Sequence, residues 1–285
     1  MEKNIPMRDL MPYPIPHPIR EMKQLLQLPL RAFCYLLTGC ALLGFVSPVA
    51  AIVNMEDMHF SDGKPGSDGS LLFDYSGAKG NEDKSQTGMG FNYRLSSESS
   101  LNFISANYHR GESNGVRDTN NAFLHARHIR EMNNKKAWEV FTQLEKNEFT
   151  RLKLRSLFGG GLRKKITDRD KTQQYLGLGL FYAIEKLDPA KVVDEETETR
   201  NTRINFYSLN RLVWSDSSKF YFTLYAQPVI NDWKDYRLLG IASLKVAIDQ
   251  HLSLKLSYNV SHDSEPPALV KQTDSRYLTG FEYHF

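Results

Sequence analysis

The stretch "LSLKLSYNV", residues 252–260, alternates strictly: Leu252, Leu254, Leu256, Tyr258 and Val260 are apolar, while Ser253, Lys255, Ser257 and Asn259 are polar. Successive side chains of a strand point to opposite faces, so a period of two builds one oily and one wet face; a helix would scatter the same residues around its axis. From Leu71 to the end of the chain this pattern occurs twelve times, with varying clarity. Leu71, Phe73 and Tyr75 oppose Leu72, Asp74 and Ser76; Met89, Phe91 and Tyr93 oppose Gly88, Gly90 and Asn92. In the fifth segment Trp138, Val140, Thr142 and Leu144 oppose Glu139, Phe141, Gln143 and Glu145. In the sixth, Leu152, Leu154, Phe158 and Leu162 oppose Lys153, Arg155 and Arg163.

A soluble sandwich or lipocalin-type barrel also alternates, with its apolar face inward. Two features argue against it. Segments of about ten residues exceed the usual five or six and match a tilted membrane crossing. The face opposite the apolar one carries Asp74, Arg94, Lys245, Lys255 and Glu282 at mid-segment, which a dry core would not accept. The pattern therefore predicts an all-β fold, a closed antiparallel up-and-down transmembrane β-barrel over residues 67–285. Twelve strands are expected, with ten as the alternative, and Pro228 predicts an interrupted register in the ninth.

Connections support the same reading. Those after even-numbered segments are short and polar, such as "SDSS", whereas residues 78–85, 110–120, 187–201 and 262–275 read as long loops on the opposite side. The chain ends "YLTGFEYHF", with Tyr277, Phe281, Tyr283 and Phe285 on one parity. In hydrocarbon every backbone group must be paired within the protein, so the last strand must close on the first and the terminal aromatic stripe faces lipid.

Ahead of the barrel, "AFCYLLTGCALLGFVSPVAA", residues 32–51, follows Arg31 and ends in small residues, as a cleavable export signal does. Residues 1–51 are read as a signal peptide with an extended N-terminal region, a translation start at Met22 being the alternative to Met1, and 52–66 as a short periplasmic segment. A single membrane anchor and a lipoprotein signal at Leu37–Cys40 are the alternatives. Both cysteines, Cys34 and Cys40, lie in the leader, so cleavage leaves a body with neither disulfides nor thiolate metal sites. It also removes 5 basic and 3 acidic residues, leaving 31 and 30. That balance argues against nucleic-acid binding.

The terminus resembles the C-terminal signal through which the bacterial barrel-assembly machinery recognises outer-membrane barrels. More specifically, "GSLLFDYSGAKGNEDKSQTGMGFNY" and "WEVFTQLEKNEFTRLKLRSLFGGGLR" resemble the salt-induced outer-membrane protein family, also called domain of unknown function 481. That resemblance implies an outer-membrane barrel of Gram-negative bacteria with no established activity.

Two sites are candidates. Glu139, Glu145, Lys153, Arg155 and Arg163 form a mixed-charge lumen cluster that either sorts small solutes or ions, as in a porin, or pairs internally as a plug. "NYHRGESNGVRDTNN" places His109 near Ser113, Asn114 and Gly115, superficially like the surface motif of an outer-membrane lipid hydrolase. The glycines predict a turn in which His109 and Ser113 do not meet, and a nucleophile must lie within hydrogen-bond reach of its base. The functional expectation is a structural or weakly pore-forming barrel rather than an enzyme, with no cofactor or metal. Its partners are outer-membrane lipid and the assembly machinery, and a lipid-acting hydrolase is the rival reading.

Overall fold

The computed structural model describes residues 56–60, 65–78, 83–190 and 196–285; the expected signal peptide over residues 1–51 lies outside them. The described residues form twelve strands: β1 (Gly66–Ala78), β2 (Lys84–Ser96), β3 (Ser100–Ser113), β4 (Val116–Asn133), β5 (Lys136–Asn147) and β6 (Leu152–Arg169), then β7 (Thr172–Leu187), β8 (Glu198–Ser215), β9 (Ser218–Val229), β10 (Asp232–Ala247), β11 (Leu252–Asp263) and β12 (Thr273–His284). Each strand pairs antiparallel with its sequence neighbours, and β12 returns to β1 to close the barrel. Closure removes both sheet edges, the condition for placing a sheet in hydrocarbon.

The faces follow the alternation. Phe73, Phe91, Leu144, Phe158, Leu178 and Phe281 are exposed on the outside, whereas Asn92, Glu139, Lys255 and Glu282 are buried in the lumen. Exposed aromatics gather toward both rims: Trp138, Trp214, Tyr283 and Phe285 at the end bearing the C-terminus, and Tyr75, Tyr108, Tyr182 and Trp233 at the other. Rings favour the headgroup level, so these girdles bracket an apolar band. An apolar exterior around a charged interior is stable only in lipid. The described residues form a transmembrane β-barrel.

The seam is the weakest joint. β1 and β12 share register pairs only from Ser70↔His284 to Asp74↔Gly280, extended by reciprocal 3.0 Å bonds between the backbones of Gly69 and Phe285. By contrast β1 pairs with β2 along its whole length, from Gly66↔Ser96 to Ala78↔Lys84. The last residue thus completes the seam, and its ring lies over Gly69, where an added Cβ would stand 2.6 Å from it.

Two expectations about connections fail. Residues 110–120 form a hairpin rather than a long loop: β3 runs to Ser113 and β4 restarts at Val116, joined by Asn114 and Gly115 at φ 51° and 75°. Two consecutive positive φ values suit the Asn-Gly dipeptide and match the twist of the flanking strands. Likewise β7 reaches Leu187 and β8 begins at Glu198, so part of 187–201 is strand. Polar residues pair in a ladder as well as apolar ones do, and above the membrane no change of pattern marks where strand gives way to loop. At the opposite rim the turns are short as expected, for example Asp216–Ser217 between β8 and β9. Pro228 pairs with Tyr236 beside a register shift between Asp232 and Tyr236, the predicted interruption.

Candidate functional site in the barrel lumen

A 3-10 turn, Glu56–His59, lies inside the barrel, so part of the stretch 52–66 contributes to the lumen itself. Its side chains reach opposite walls. Met58 packs with Leu101, Phe103, Ile129 and Ala137 on β3 to β5, whereas Phe60 packs with Tyr175, Tyr207, Leu209, Tyr221 and Tyr225 on β7 to β9. Polar anchors complete the fit: Asp57 pairs with Lys245 at 3.0 Å, and Lys245 also pairs with Glu282 at 3.0 Å. Arg94 donates to the carbonyls of Asp57 and Phe60, and Arg163 donates to that of His59 at 3.2 Å. Backbone acceptors that no ladder uses are thereby satisfied by wall arginines. His59 and Phe60 are each 1 % exposed, so this half of the lumen is filled.

Above the segment sits a layer of polar and aromatic groups. Arg127 lies 3.3 Å from Glu139, and its guanidinium stacks 4.5 Å over the Phe141 ring. Tyr207 donates to the other Glu139 oxygen at 2.8 Å. Tyr207 reaches Glu139 by lying flat against the wall at Gly177, where a Cβ would come within 2.1 Å of its ring. Similarly Gly159 leaves room for Phe141 and Phe181 to meet at 6.4 Å between centroids.

The far half of the lumen holds a continuous chain of ion pairs. Glu145 meets Arg155 at 3.0 Å, Arg155 meets Glu185 at 3.0 Å, Glu185 meets Arg237, and Arg237 meets Asp263 at 2.8 Å. It links β5, β6, β7, β10 and β11, so it ties walls that are not adjacent in the sheet. A cavity of about 220 Å³ opens beneath the 264–272 connection, bounded by this chain and by the floor of His59 and Arg127.

Four of the five residues of the expected cluster face the lumen, but they divide between two levels. Glu139 and Arg163 belong to the layer around the lumen segment, and Glu145 and Arg155 to the outer ion-pair chain. Lys153 must be removed. The register shifts between Leu152 and Leu154 at the start of β6, so Leu152 is 4 % exposed inside while Lys153 faces solvent and Leu154 the exterior. A bulge inserts one residue and inverts the parity of everything before it. Sequence reasoning missed Arg127, Tyr207, Glu185 and Arg237, together with Asp57, which lies ahead of the strand pattern.

His109 is a buried strand residue facing the lumen, with Nε2 3.5 Å from Asp74 Oδ2. Ser113 stands four positions further along the strand, about 13 Å away at 3.3 Å per residue. The structure does not bring the two together. Tyr277, Phe281, Tyr283 and Phe285 all face outward, 45–57 % exposed.

Solved structures with a similar course include the KdgM porin in complex with disordered oligogalacturonate, at 11% identity and a TM-score of 0.42, covering 76% of this chain and 99% of that one. The NanC porin follows at 9% identity and 0.47, covering 76% and 98%. The translocator domain of the autotransporter NalP from Neisseria meningitidis has 12% identity and 0.40, covering 77% and 87%. No curated protein sequence matches the chain. A family model described as "Protein of unknown function, DUF481" matches residues 73–285, which span β2 to β12 whole and the last six residues of β1. The chain belongs to the DUF481 family.

Proposed function

We propose that the protein is a narrow outer-membrane channel whose lumen is stoppered by its own N-terminal segment, conducting small solutes weakly or only when the segment leaves. The observation that carries this reading is the docking of residues 57–60 between Arg94, Arg163 and Lys245, which fills one half of a lumen whose other half keeps a cavity of about 220 Å³. A barrel needing only mechanical stability could fill its interior with wall side chains. Here a separate segment is held largely by side chains, an arrangement that can be undone without opening the sheet. The rim bearing the termini faces the periplasm in this reading, as short turns at one end and an even strand count imply.

Biogenesis belongs to the proposal. Residues 1–51 direct export, Tyr277 to Phe285 present the alternating aromatics that the barrel-assembly machinery reads, and outer-membrane lipid surrounds the apolar band. The turn sequences around 77–81 and 145–149 carry the finer likeness to salt-induced outer-membrane proteins. Planar-bilayer recording tests the channel. Refolded protein should give rare, small events, and a variant lacking residues 56–60 should give larger and longer ones. No events from either protein would remove the channel reading.

A further inference from the structure

The far cavity, rather than the ion pairs around it, is chemically distinctive. Water-filled barrels ordinarily present polar inner walls. This one exposes Phe123, Phe141, Leu157, Phe181, Leu239 and Ile241 to the same space, contributed by β4, β5, β6, β7 and β10. Aromatic planes line one side: His125 stacks between Phe123 and Phe141, each 6.1 Å away and within 19° of parallel.

The charges at the mouth point away from an ionic ligand. Each acid and base of the Glu145–Arg155–Glu185–Arg237–Asp263 chain already has a partner, so an ionic solute must break pairs to bind. Beyond the ion-pair chain, two lining residues hold a buried polar atom without a partner among the described residues: His59, at Nδ1 in the floor, and Thr223 in the wall. Thr223 lines the cavity and is 2 % exposed; its hydroxyl, covered from water in this structure, has no hydrogen-bond partner among the described residues, so a side-chain rotation must turn it toward a ligand. A buried hydroxyl in this condition favours a ligand that supplies the missing bond. Size sets the last limit: an apolar cavity of about 150 Å³ accepts benzene, so about 220 Å³ admits one or two rings.

We propose that the outer cavity binds a small neutral aromatic molecule of one or two rings bearing a single hydroxyl or N–H group, which bonds to Thr223. The site requires only that the cavity be open at its own rim. It therefore stands or falls separately from conduction: binding without channel events leaves it in place, and channel events without binding do not rescue it.

Calorimetric titration of the refolded protein in detergent, against a detergent blank, tests this with 1-naphthol. Saturable one-to-one binding displaced by indole is expected, with 2-naphthoate at least tenfold weaker and maltotriose silent. Leu157→Trp fills the cavity and should weaken 1-naphthol at least tenfold. Thr223→Val keeps the shape, and should weaken 1-naphthol about fivefold, the worth of one neutral hydrogen bond, while leaving naphthalene unchanged. Retained heat-dependent mobility on gels establishes that each variant is folded, and Thr223→Val carries the test if Leu157→Trp is not. Unsaturable uptake equal in wild type and variants would overturn the proposal. So would tighter binding of 2-naphthoate or maltotriose.

Discussion

Phe60→Ala separates a plug from a structural core. Phe60 is 1 % exposed and enclosed by Tyr175, Tyr207, Leu209, Tyr221 and Tyr225, yet it belongs to no strand. Truncating a buried Phe costs about 3–5 kcal/mol when the site cannot collapse. The five surrounding residues are fixed to the wall by strand ladders, so collapse is limited and the upper part of that range applies. Because the lost contacts join the segment to the barrel, the cost falls on docking rather than on strand pairing. At about 1.4 kcal/mol per decade, the undocked fraction rises by roughly three to three and a half orders of magnitude. Planar-bilayer open probability should increase accordingly, while the folded band on unheated gels persists. Loss of that band would mean that Phe60 holds the barrel together. An unchanged open probability in a folded barrel would mean that the segment does not occlude the path, and the reasoning would be refuted.

Three further outcomes follow from the geometry. Lys245→Met leaves Asp57 and the buried Glu282 without their shared cation, and should destabilise the barrel by about 3–5 kcal/mol in urea titration of refolded protein. A variant with an unshifted midpoint would exclude that pairing as a structural element. Gly69→Val drives a side chain into the Phe285 ring at the thinly paired seam, and should slow folding into lipid vesicles, followed by the gel shift, by tenfold or more. Folding at the wild-type rate would sink the idea that this contact completes closure. Lys153→Ala should shift stability by less than about 0.5 kcal/mol as a surface change, whereas Arg155→Ala strips Glu145 and Glu185 of a partner and should cost several times more. Equal effects in paired denaturation curves would place Lys153 back in the cluster.

The alternation was legible because a strand between lipid and water obeys a local rule, one residue at a time. It sufficed for twelve strands, an apolar exterior, a closing C-terminal strand and the inward direction of Glu139, Glu145, Arg155 and Arg163. A local rule fails where the register slips, and the bulge at the start of β6 is such a place: Leu152 turned inward and Lys153 outward against the pattern. Above the membrane both faces are wet, so the 110–120 hairpin left no alternation by which to tell it from a loop.

The amino-acid sequence by itself determined a closed barrel with a charged interior, since period and burial medium are encoded residue by residue. Which charges pair across the lumen, how Arg127 and Tyr207 converge on Glu139, and the filling of one half by residues 57–60 were decided only by the tertiary structure. Those contacts join positions far apart in the chain. Their partners are set by the curvature and strand order of the closed sheet, which no short stretch of sequence contains.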